Sequence, residues 1–236
     1  MTYVQGFLAA VPTAKRQAYL EHARQMLPLL KEFGTARAVE TWGDDVPRGK
    51  RNDFQGSVQA TDDETVVFSW MEYPDRAARD AAYDSMMNDP RMNQLPEMPF
   101  DGKRMIFGGF DPFVDAGSGR GAYVDGYLLP VPGPNREAYR ELARKAAEVF
   151  LEYGALRVVE AWGDDVPEGK VTDFGRAVLR EDGEHVVFSW IEWPSKQARD
   201  AAWPKLMEDA RMKPEDDMPF DGQRMVYGGF ETILEG

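Results

Sequence analysis

The spacing of apolar residues near the start of the chain predicts a strand followed by an amphipathic helix. The aromatic and β-branched run from Tyr3 to Val11 is closed by Pro12, which is typical of a strand end. The next segment has apolar residues at helical spacing and meets Gly34, a residue that commonly ends helices. The apolar positions of this predicted helix are Tyr19, Ala23, Met26, Leu27, Leu30 and Phe33.

The remainder of this half predicts four more strands and a second helix. The apolar stripe of the second helix carries Ala78 and Ala82, with Asp75 as its N-cap candidate. Two of the strands are predicted to pair as a hairpin across the turn at residues 62–64. The strands are expected at Ala36 to Trp42, Phe54 to Ala60, Thr65 to Tyr73 and Met105 to Phe110.

A shift of 120 residues superimposes the chain on itself without a gap. Residues 3–116 match residues 123–236 at 56 of 114 positions, including Trp42-Gly-Asp-Asp-Val-Pro47 with its copy at 162–167. A period of this length indicates a duplicated domain, because solenoid units are usually shorter. In the second copy Pro204 falls inside the second predicted helix, where it should cause a kink or an early end.

The duplication predicts an α+β fold with two ferredoxin-like βαββαβ repeats. The first repeat is expected at residues 1–115, a glycine-rich linker at 116–122 and the second repeat at 123–236. A single repeat would leave one sheet face open to water, so we expect the two sheets to pack together and to give a sandwiched or barrel-like core within one chain.

The first strand presents two different faces. Val4, Gly6 and Leu8 form a small, apolar face, which we expect to lie under the helices because glycine allows close approach. The other face, with Tyr3 and Phe7, is then expected to point into the barrel.

Composition and charge exclude several classes of protein. The chain has no cysteine, so thiolate chemistry and disulfides are excluded. The net charge of −13 opposes binding to nucleic acid, which we do not expect as a partner. The absence of an apolar stretch of spanning length or a signal peptide predicts a cytoplasmic protein without a membrane partner.

Several motifs together resemble a known family. The blocks are Trp42-Gly-Asp-Asp-Val-Pro47, Val66-Val-Phe-Ser-Trp70, Met98-Pro-Phe-Asp-Gly102 and Gly108-Gly-Phe110, each with a copy in the second half. Each half resembles the small bacterial YbaA-like proteins, domain-of-unknown-function family 1428, over nearly its whole length. The resemblance implies a dimeric α/β barrel in which single-domain relatives pair two chains, so the fused chain is expected to form an intramolecular dimeric α/β barrel. The resemblance brings no established activity and no agreed catalytic residues.

The repeat gives little support to a site built on histidine or on a metal ion. A site retained in both halves should have its residues in both, but His22 is matched by Leu142 and His185 by Thr65. The repeated aspartates could ligate magnesium or calcium, although aspartates around Val-Pro-x-Gly more often cap turns. We therefore expect no metal and no cofactor. These aspartates are Asp44, Asp45 and Asp53, with copies Asp164, Asp165 and Asp173.

Glu40 and Glu160 are the candidate catalytic residues. Each lies within an otherwise apolar strand, on the same face as Trp42 or Trp162. A glutamate beside an indole on a sheet face can have a raised pKa and act as a general acid or base. The alternative, which we favour, is a structural ion pair with a repeated arginine such as Arg104 or Arg224.

Aromatic positions complete the candidate pocket. The ring at position 7 is Phe7 in one half and Tyr127 in the other, and Phe107 likewise corresponds to Tyr227. A position that tolerates a hydroxyl should reach water, a polar partner or a ligand. The pocket candidates are Tyr3, Phe7, Trp42, Phe107, Tyr123, Tyr127, Trp162 and Tyr227.

Two functions remain open. The first is small-molecule binding or cofactor-independent catalysis, in a pocket between sheet and helices or inside the barrel. The second is a non-catalytic interaction protein whose repeated polar residues only hold the fold. RNA association ranks lowest, and further self-association of the pseudo-dimer is compatible with exposed sheet edges.

Overall fold

Eight strands and six helices make up the computed structural model, which describes residues 2–213 and 217–236. The strands are β1 (Tyr3–Pro12), β2 (Arg37–Asp45), β3 (Glu64–Tyr73), β4 (Ile106–Gly117), β5 (Tyr123–Pro132), β6 (Arg157–Asp165), β7 (Glu184–Trp193) and β8 (Val226–Glu235). The helices are α1 (Arg16–Glu32), α2 (Phe54–Ser57), α3 (Arg76–Asn88), α4 (Arg136–Glu152), α5 (Phe174–Ala177) and α6 (Lys196–Glu208).

All eight strands close into one antiparallel barrel. Its strand order is β1-β3-β2-β8-β5-β7-β6-β4. The two halves meet where β2 pairs with β8 and where β4 pairs with β6, and both pairs contain register shifts. The two halves of the chain therefore share a single barrel, as expected from the duplication.

Aromatic side chains fill the barrel interior. The rings of Phe68 and Phe188, one from each half, stack with centroids 4.3 Å apart, and Trp70 and Trp190 follow at 4.6 Å. All four side chains are fully buried in one core cluster. The core of the protein thus lies along the axis that relates the two halves.

The expected orientation of the first strand is wrong. Val4 and Leu8 belong to the core inside the barrel, whereas Phe7 faces a cavity on the outer side. A Cβ on Gly6 would lie 2.8 Å from a ring atom of Phe188. Gly6 does allow a close approach, but the approaching group is a ring from the other half and not a helix.

The segment expected as the strand Phe54 to Ala60 is also different. It contains the one-turn helix α2, and β3 pairs with β1 and β2 instead of with this segment. The Asp53 carboxylate accepts a hydrogen bond from the amide of Gly56 and caps the helix. Phe54 is fully buried and packs edge-on against Phe230, 5.2 Å away, so α2 adds an aromatic ring to the barrel core.

The predicted helix boundaries are mostly confirmed. α1 ends just before Gly34, whose φ of +105° favours glycine. The side chains of Asp75 and Ser195 cap α3 and α6 through the amides three residues ahead. The early end expected at Pro204 is wrong, because α6 continues to Glu208 and has 13 residues, like α3.

The connection between the halves is short. β4 continues to Gly117, two residues into the predicted linker, and β5 begins at Tyr123. The amide of Gly121 donates a hydrogen bond to the buried carboxylate of Glu192, which fixes the connection to the barrel end. Within the described residues, no helix combines the length and the apolar character that crossing a bilayer requires.

Candidate functional site

The repeated aspartates after each tryptophan bind the two halves to each other. The Tyr3 hydroxyl donates to Asp164 at 2.9 Å, and the Tyr123 hydroxyl donates to Asp44 at 3.0 Å. The adjacent aspartates form ion pairs across the halves in the same way, Arg79 with Asp165 at 2.6 Å and Arg199 with Asp45 at 3.0 Å.

These contacts agree with the turn-capping interpretation for only some of the aspartates. Asp53 and Asp173 do cap turns, as the alternative to a metal site predicted. Asp44 and Asp164 instead form contacts between the halves, which neither interpretation foresaw. No cluster of potential metal ligands occurs in the described ranges 2–213 and 217–236.

Two arginines, the buried Arg37 and the largely buried Arg157, close one end of the barrel. Arg37 binds Glu192 through two hydrogen bonds of 2.7 and 2.8 Å, and Arg157 binds Glu72 through two of 2.8 and 3.0 Å. Each arginine thus neutralises a carboxylate of the other half. The Trp70 indole also donates to Glu72, at 3.1 Å, so this cluster is satisfied within the protein and its role is structural.

The two candidate glutamates lie on the outer face of the sheet, under the long helices. The Tyr139 hydroxyl of α4 donates to Glu160 at 2.7 Å, and the Tyr19 hydroxyl of α1 donates to Glu40 at 2.6 Å. Glu160 lies opposite Ser189 of β7 in the sheet register. The same tyrosine–glutamate pair is therefore present in both halves.

Burial controls the acidity of both glutamates. Loss of hydration raises the pKa of Glu160 to about 7, although hydrogen bonds from Tyr139 and Ser189 oppose this shift. Burial also raises the pKa of Glu40 above its usual value. Both side chains are half-buried and closely surrounded by protein atoms.

The ion pairs expected for these glutamates are wrong. Arg104 binds Glu64 at 2.7 Å, and Arg224 binds Glu184 at 2.7 Å. Within residues 2–213 and 217–236, neither Glu40 nor Glu160 has an arginine or lysine within ion-pair distance. A carboxyl group that lacks a cation in an apolar site is the arrangement that raises a pKa towards neutrality.

A cavity of about 280 Å³ gives access to Glu160. It lies between α4, α6 and the outer face of the sheet. Its walls are mainly rings and flexible thioethers. Glu160, Ser189 and Tyr139 supply polar atoms, and the cationic side chains of Lys145, Arg211 and Lys213 also line it. The apolar side chains include Tyr127, Phe150, Trp203, Met218, Phe220 and Met225.

The cavity of the first half shares part of its wall with the Glu160 cavity, at equivalent positions such as Phe7 and Tyr127, but it extends towards α3 instead of towards the glutamate. It has a volume of about 650 Å³ and is lined by Phe7 and Phe107, but Glu40 does not line it. In α1 the residue corresponding to Ala146 of the Glu160 cavity is the larger Met26. The two halves therefore share the buried glutamate and differ in whether a cavity reaches it.

The aromatic candidates separate into three groups. Phe7, Phe107 and Tyr127 line the cavities, and Tyr227 is 50% exposed on the same outer face as Tyr127. Tyr3 and Tyr123 lie at the contacts between the halves, as described above.

Trp42 and Trp162 form the third group of candidates. Both are buried beneath the helices, and neither lines a described cavity. Trp42 lies 6.2 Å from Tyr19, measured between ring centroids. Their positions favour a packing role beside the tyrosine–glutamate pairs.

Sequence reasoning missed the role of Tyr139, whose hydroxyl donates to Glu160, and that of its counterpart Tyr19, whose hydroxyl donates to Glu40. The helical spacing places Tyr19 only in the apolar stripe of the first helix. The signal was present, because a tyrosine recurs at this position in both halves. A buried tyrosine hydroxyl needs a hydrogen-bond partner, and the nearby strand glutamate was available.

Some solved structures with the same fold are described as enzymes or as enzyme-like proteins. A candidate monooxygenase from Lactobacillus acidophilus NCFM aligns over 100% of this chain and 95% of its own length, with a TM-score of 0.59 and 10% identity. An anthrone oxidase-like protein aligns over 100% and 92%, with a TM-score of 0.52 and 14% identity. At such identities the likeness establishes the class of fold, the dimeric α/β barrel, and nothing about the reaction.

The sequence itself matches a family described as "Protein of unknown function (DUF1428)" twice, at residues 2–102 and 122–222. The chain therefore belongs to this family and carries two copies of its domain. The protein named uncharacterized protein YbaA from Escherichia coli strain K12 is 60% identical over 114 residues, which cover 48% of this chain and 97% of that protein. The same identity and coverage hold for YbaA of Shigella flexneri.

Proposed function

We propose that the cavity at Glu160 binds a small aromatic molecule and that Glu160 transfers a proton to or from it without a cofactor. The observation that carries this proposal is the carboxyl group of Glu160, which lines a cavity and has a pKa of about 7. Near neutral pH such a group is present in both protonation states. It can therefore act as a general base or a general acid.

The cavity wall supports an aromatic ligand. Trp203 and Phe220 offer ring faces, and Met218 and Met225 offer adaptable sulfur contacts. A volume of about 280 Å³ is near the lower end of ligand pockets, which favours a molecule of a few rings. The Tyr139 hydroxyl fixes the orientation of the Glu160 carboxyl group at 2.7 Å.

The fold relatives support the same general function. Proteins described as a candidate monooxygenase and as an anthrone oxidase-like protein have this fold. Anthrone is therefore a reasonable probe, since its acidic C–H bond lies between two rings. This support is limited to the fold, and the assignment of Glu160 rests on the geometry of this chain.

The experiment follows exchange of the acidic C–H protons of anthrone in D2O by NMR, under nitrogen. Glu160 would take a proton from carbon and return a deuteron, which leaves the molecule otherwise unchanged. We expect the protein to accelerate exchange, with a rate that rises as the pH passes through about 7. Glu160→Gln should bind anthrone and lose the acceleration, whereas the matched variant Glu40→Gln should keep it.

Two results would contradict the proposal. One is equal exchange rates for the native chain and Glu160→Gln. The other is a Glu160 carboxyl that titrates near pH 4.5 in an NMR titration, which needs no ligand. If Glu160→Gln alters only the thermal stability, the non-catalytic role becomes the better explanation.

We also propose that each half is one ferredoxin-like domain. The proposed divisions are residues 1–115 and 123–236, joined by residues 116–122. The element order supports this division, because each half supplies four strands and two long helices in the same sequence. The one-turn helices α2 and α5 are then additions to each ferredoxin-like unit.

A further inference from the structure

The larger cavity of the first half is separate from the Glu160 site. It lies between α3 and the outer face of β1, β3 and β4, and its volume is about 650 Å³. Most of its wall is apolar, from side chains such as Phe7, Phe33, Met71, Met86 and Met105. The cavity is large enough for a ligand with a long apolar body.

Substitutions between the halves explain why this space is open. In the second half the Trp203 indole donates to the buried carboxylate of Asp125 at 3.2 Å, which draws the ring towards the sheet. The corresponding residues of the first half are Tyr83 and Gln5. Tyr83 is 47% exposed, so its ring leaves the region beneath α3 less filled.

Polar atoms without hydrogen-bond partners face this apolar space. Thr35 is only 3% exposed, and its hydroxyl has no partner among the described residues. The buried Nε of Arg79 also lacks a hydrogen bond there, because Asp80 lies 3.0 Å away in a poor direction. The Tyr73 hydroxyl donates to the sulfur of Met71, a weak acceptor, at 3.5 Å, and it lies close to the Thr35 hydroxyl.

Each of the three side chains carries a hydrogen-bond donor, and all three line the cavity. A buried donor without an acceptor is costly, so a ligand that supplies an acceptor would gain from each donor it satisfies. In the second half, Ala155 and Trp193 replace Thr35 and Tyr73. The two hydroxyl donors are therefore specific to the first half, whereas Arg79 has a counterpart in Arg199.

The surrounding charges limit the kind of acceptor. Arg79 is already paired with Asp165 at 2.6 Å, and Asp80 and Asp84 also line the cavity. One cation thus faces three carboxylates, which would repel a carboxylate ligand. An ammonium group would suit these carboxylates but would leave the three donors unsatisfied.

We propose that the first-half cavity binds an uncharged carbonyl compound, such as an amide, ester or ketone, with an apolar chain or ring. The carbonyl oxygen accepts hydrogen bonds from the group formed by Thr35, Tyr73 and Arg79. The apolar body lies against Phe7, Met71 and the neighbouring side chains. This site is independent of proton transfer at Glu160.

The test uses octanamide, octanoate and octylamine, which share a chain and differ in head group. Isothermal titration calorimetry at pH 7.5 should show saturable binding of octanamide, with octanoate and octylamine at least about tenfold weaker. Tighter binding of either charged compound, or no binding of octanamide, would overturn the proposal.

Variants that copy the second half locate the site. Thr35→Ala removes one donor, and we expect octanamide to bind about three- to tenfold more weakly, the usual effect of one lost hydrogen bond. The double variant Gln5→Asp with Tyr83→Trp should close the cavity and abolish binding. Ala155→Thr is the matched control and should leave the affinity unchanged.

Two further results keep the test decisive. Near-ultraviolet circular dichroism should show that the double variant folds, as expected because the second half already contains both residues. Unchanged octanamide affinity in a folded double variant would overturn the location of the site. Glu160→Gln should not alter octanamide binding, so failure of the Glu160 proposal would be seen separately.

Discussion

Replacing Glu160 by glutamine should make the stability of the protein less dependent on pH. Burial raises the pKa of Glu160 from 4.5 to about 7, so the folded state holds this proton more tightly than the unfolded state. The stabilisation from the protonated carboxyl group is complete below pH 4.5. It declines as the pH rises and is lost above about pH 7.

The expected size of this change in the free energy of unfolding follows from the shift in the pKa of Glu160. Each pKa unit corresponds to about 1.36 kcal/mol, so a shift of about 2.5 units corresponds to about 3 kcal/mol in the free energy of unfolding. Glutamine has a similar shape and cannot ionise. The free energy of unfolding of Glu160→Gln, relative to the native chain, should therefore increase by about 3 kcal/mol between pH 4.5 and pH 8.

Urea denaturation at a series of pH values measures this difference. Other titrating groups are present in both proteins, so their contributions cancel in the comparison. Tyr139→Phe should move the transition to higher pH, because the hydroxyl that stabilises the carboxylate is lost. Parallel stability curves for the native chain and Glu160→Gln would refute the reasoning.

Two further predictions concern the barrel itself. Gly6→Ala should lower the free energy of unfolding by about 1–3 kcal/mol, because the new Cβ would lie 2.8 Å from the Phe188 ring. Gly222→Ala, whose nearest contact would be at 3.8 Å, is the control, and equal urea midpoints for the two variants would contradict the prediction. Glu192→Gln should lower the free energy of unfolding by about 1–3 kcal/mol, because buried Arg37 loses one of its three carboxylate partners and keeps Glu72 and Glu235. A loss below about 1 kcal/mol in thermal unfolding would show that the pair with Glu192 is unimportant.

The repeat and the strand patterns indicated that two sheets pack together within one chain, and the resemblance to the YbaA-like proteins indicated the barrel. The sequence pattern wrongly predicted a strand at Phe54, since the one-turn helix α2 is too short to show helical periodicity. It also failed to orient β1. Gly6 correctly indicated a close approach, but a local pattern cannot reveal that the approaching ring is Phe188, 182 positions further along the chain.

The candidate site was predicted in part. The strand position of Glu160 beside an indole was sufficient to nominate it as an acid or base. Glu160 has no ion pair with Arg224, because Arg224 binds Glu184 instead. The sequence could not predict this, since the partner of Arg224 is set by tertiary structure. The cavity was not predictable, because it depends on differences such as Ala146 against Met26 on helices that pack over the sheet.

The pairing of β2 with β8 and of β4 with β6 has a consequence for how this protein can change during evolution. In a barrel assembled from two identical chains, every substitution appears twice, and both sites change together. Here the two halves are encoded separately within one chain, so Gln5 and Asp125 occupy equivalent positions and differ. One half can alter its cavity while the other retains its own, and a single barrel can hold two sites with different ligands.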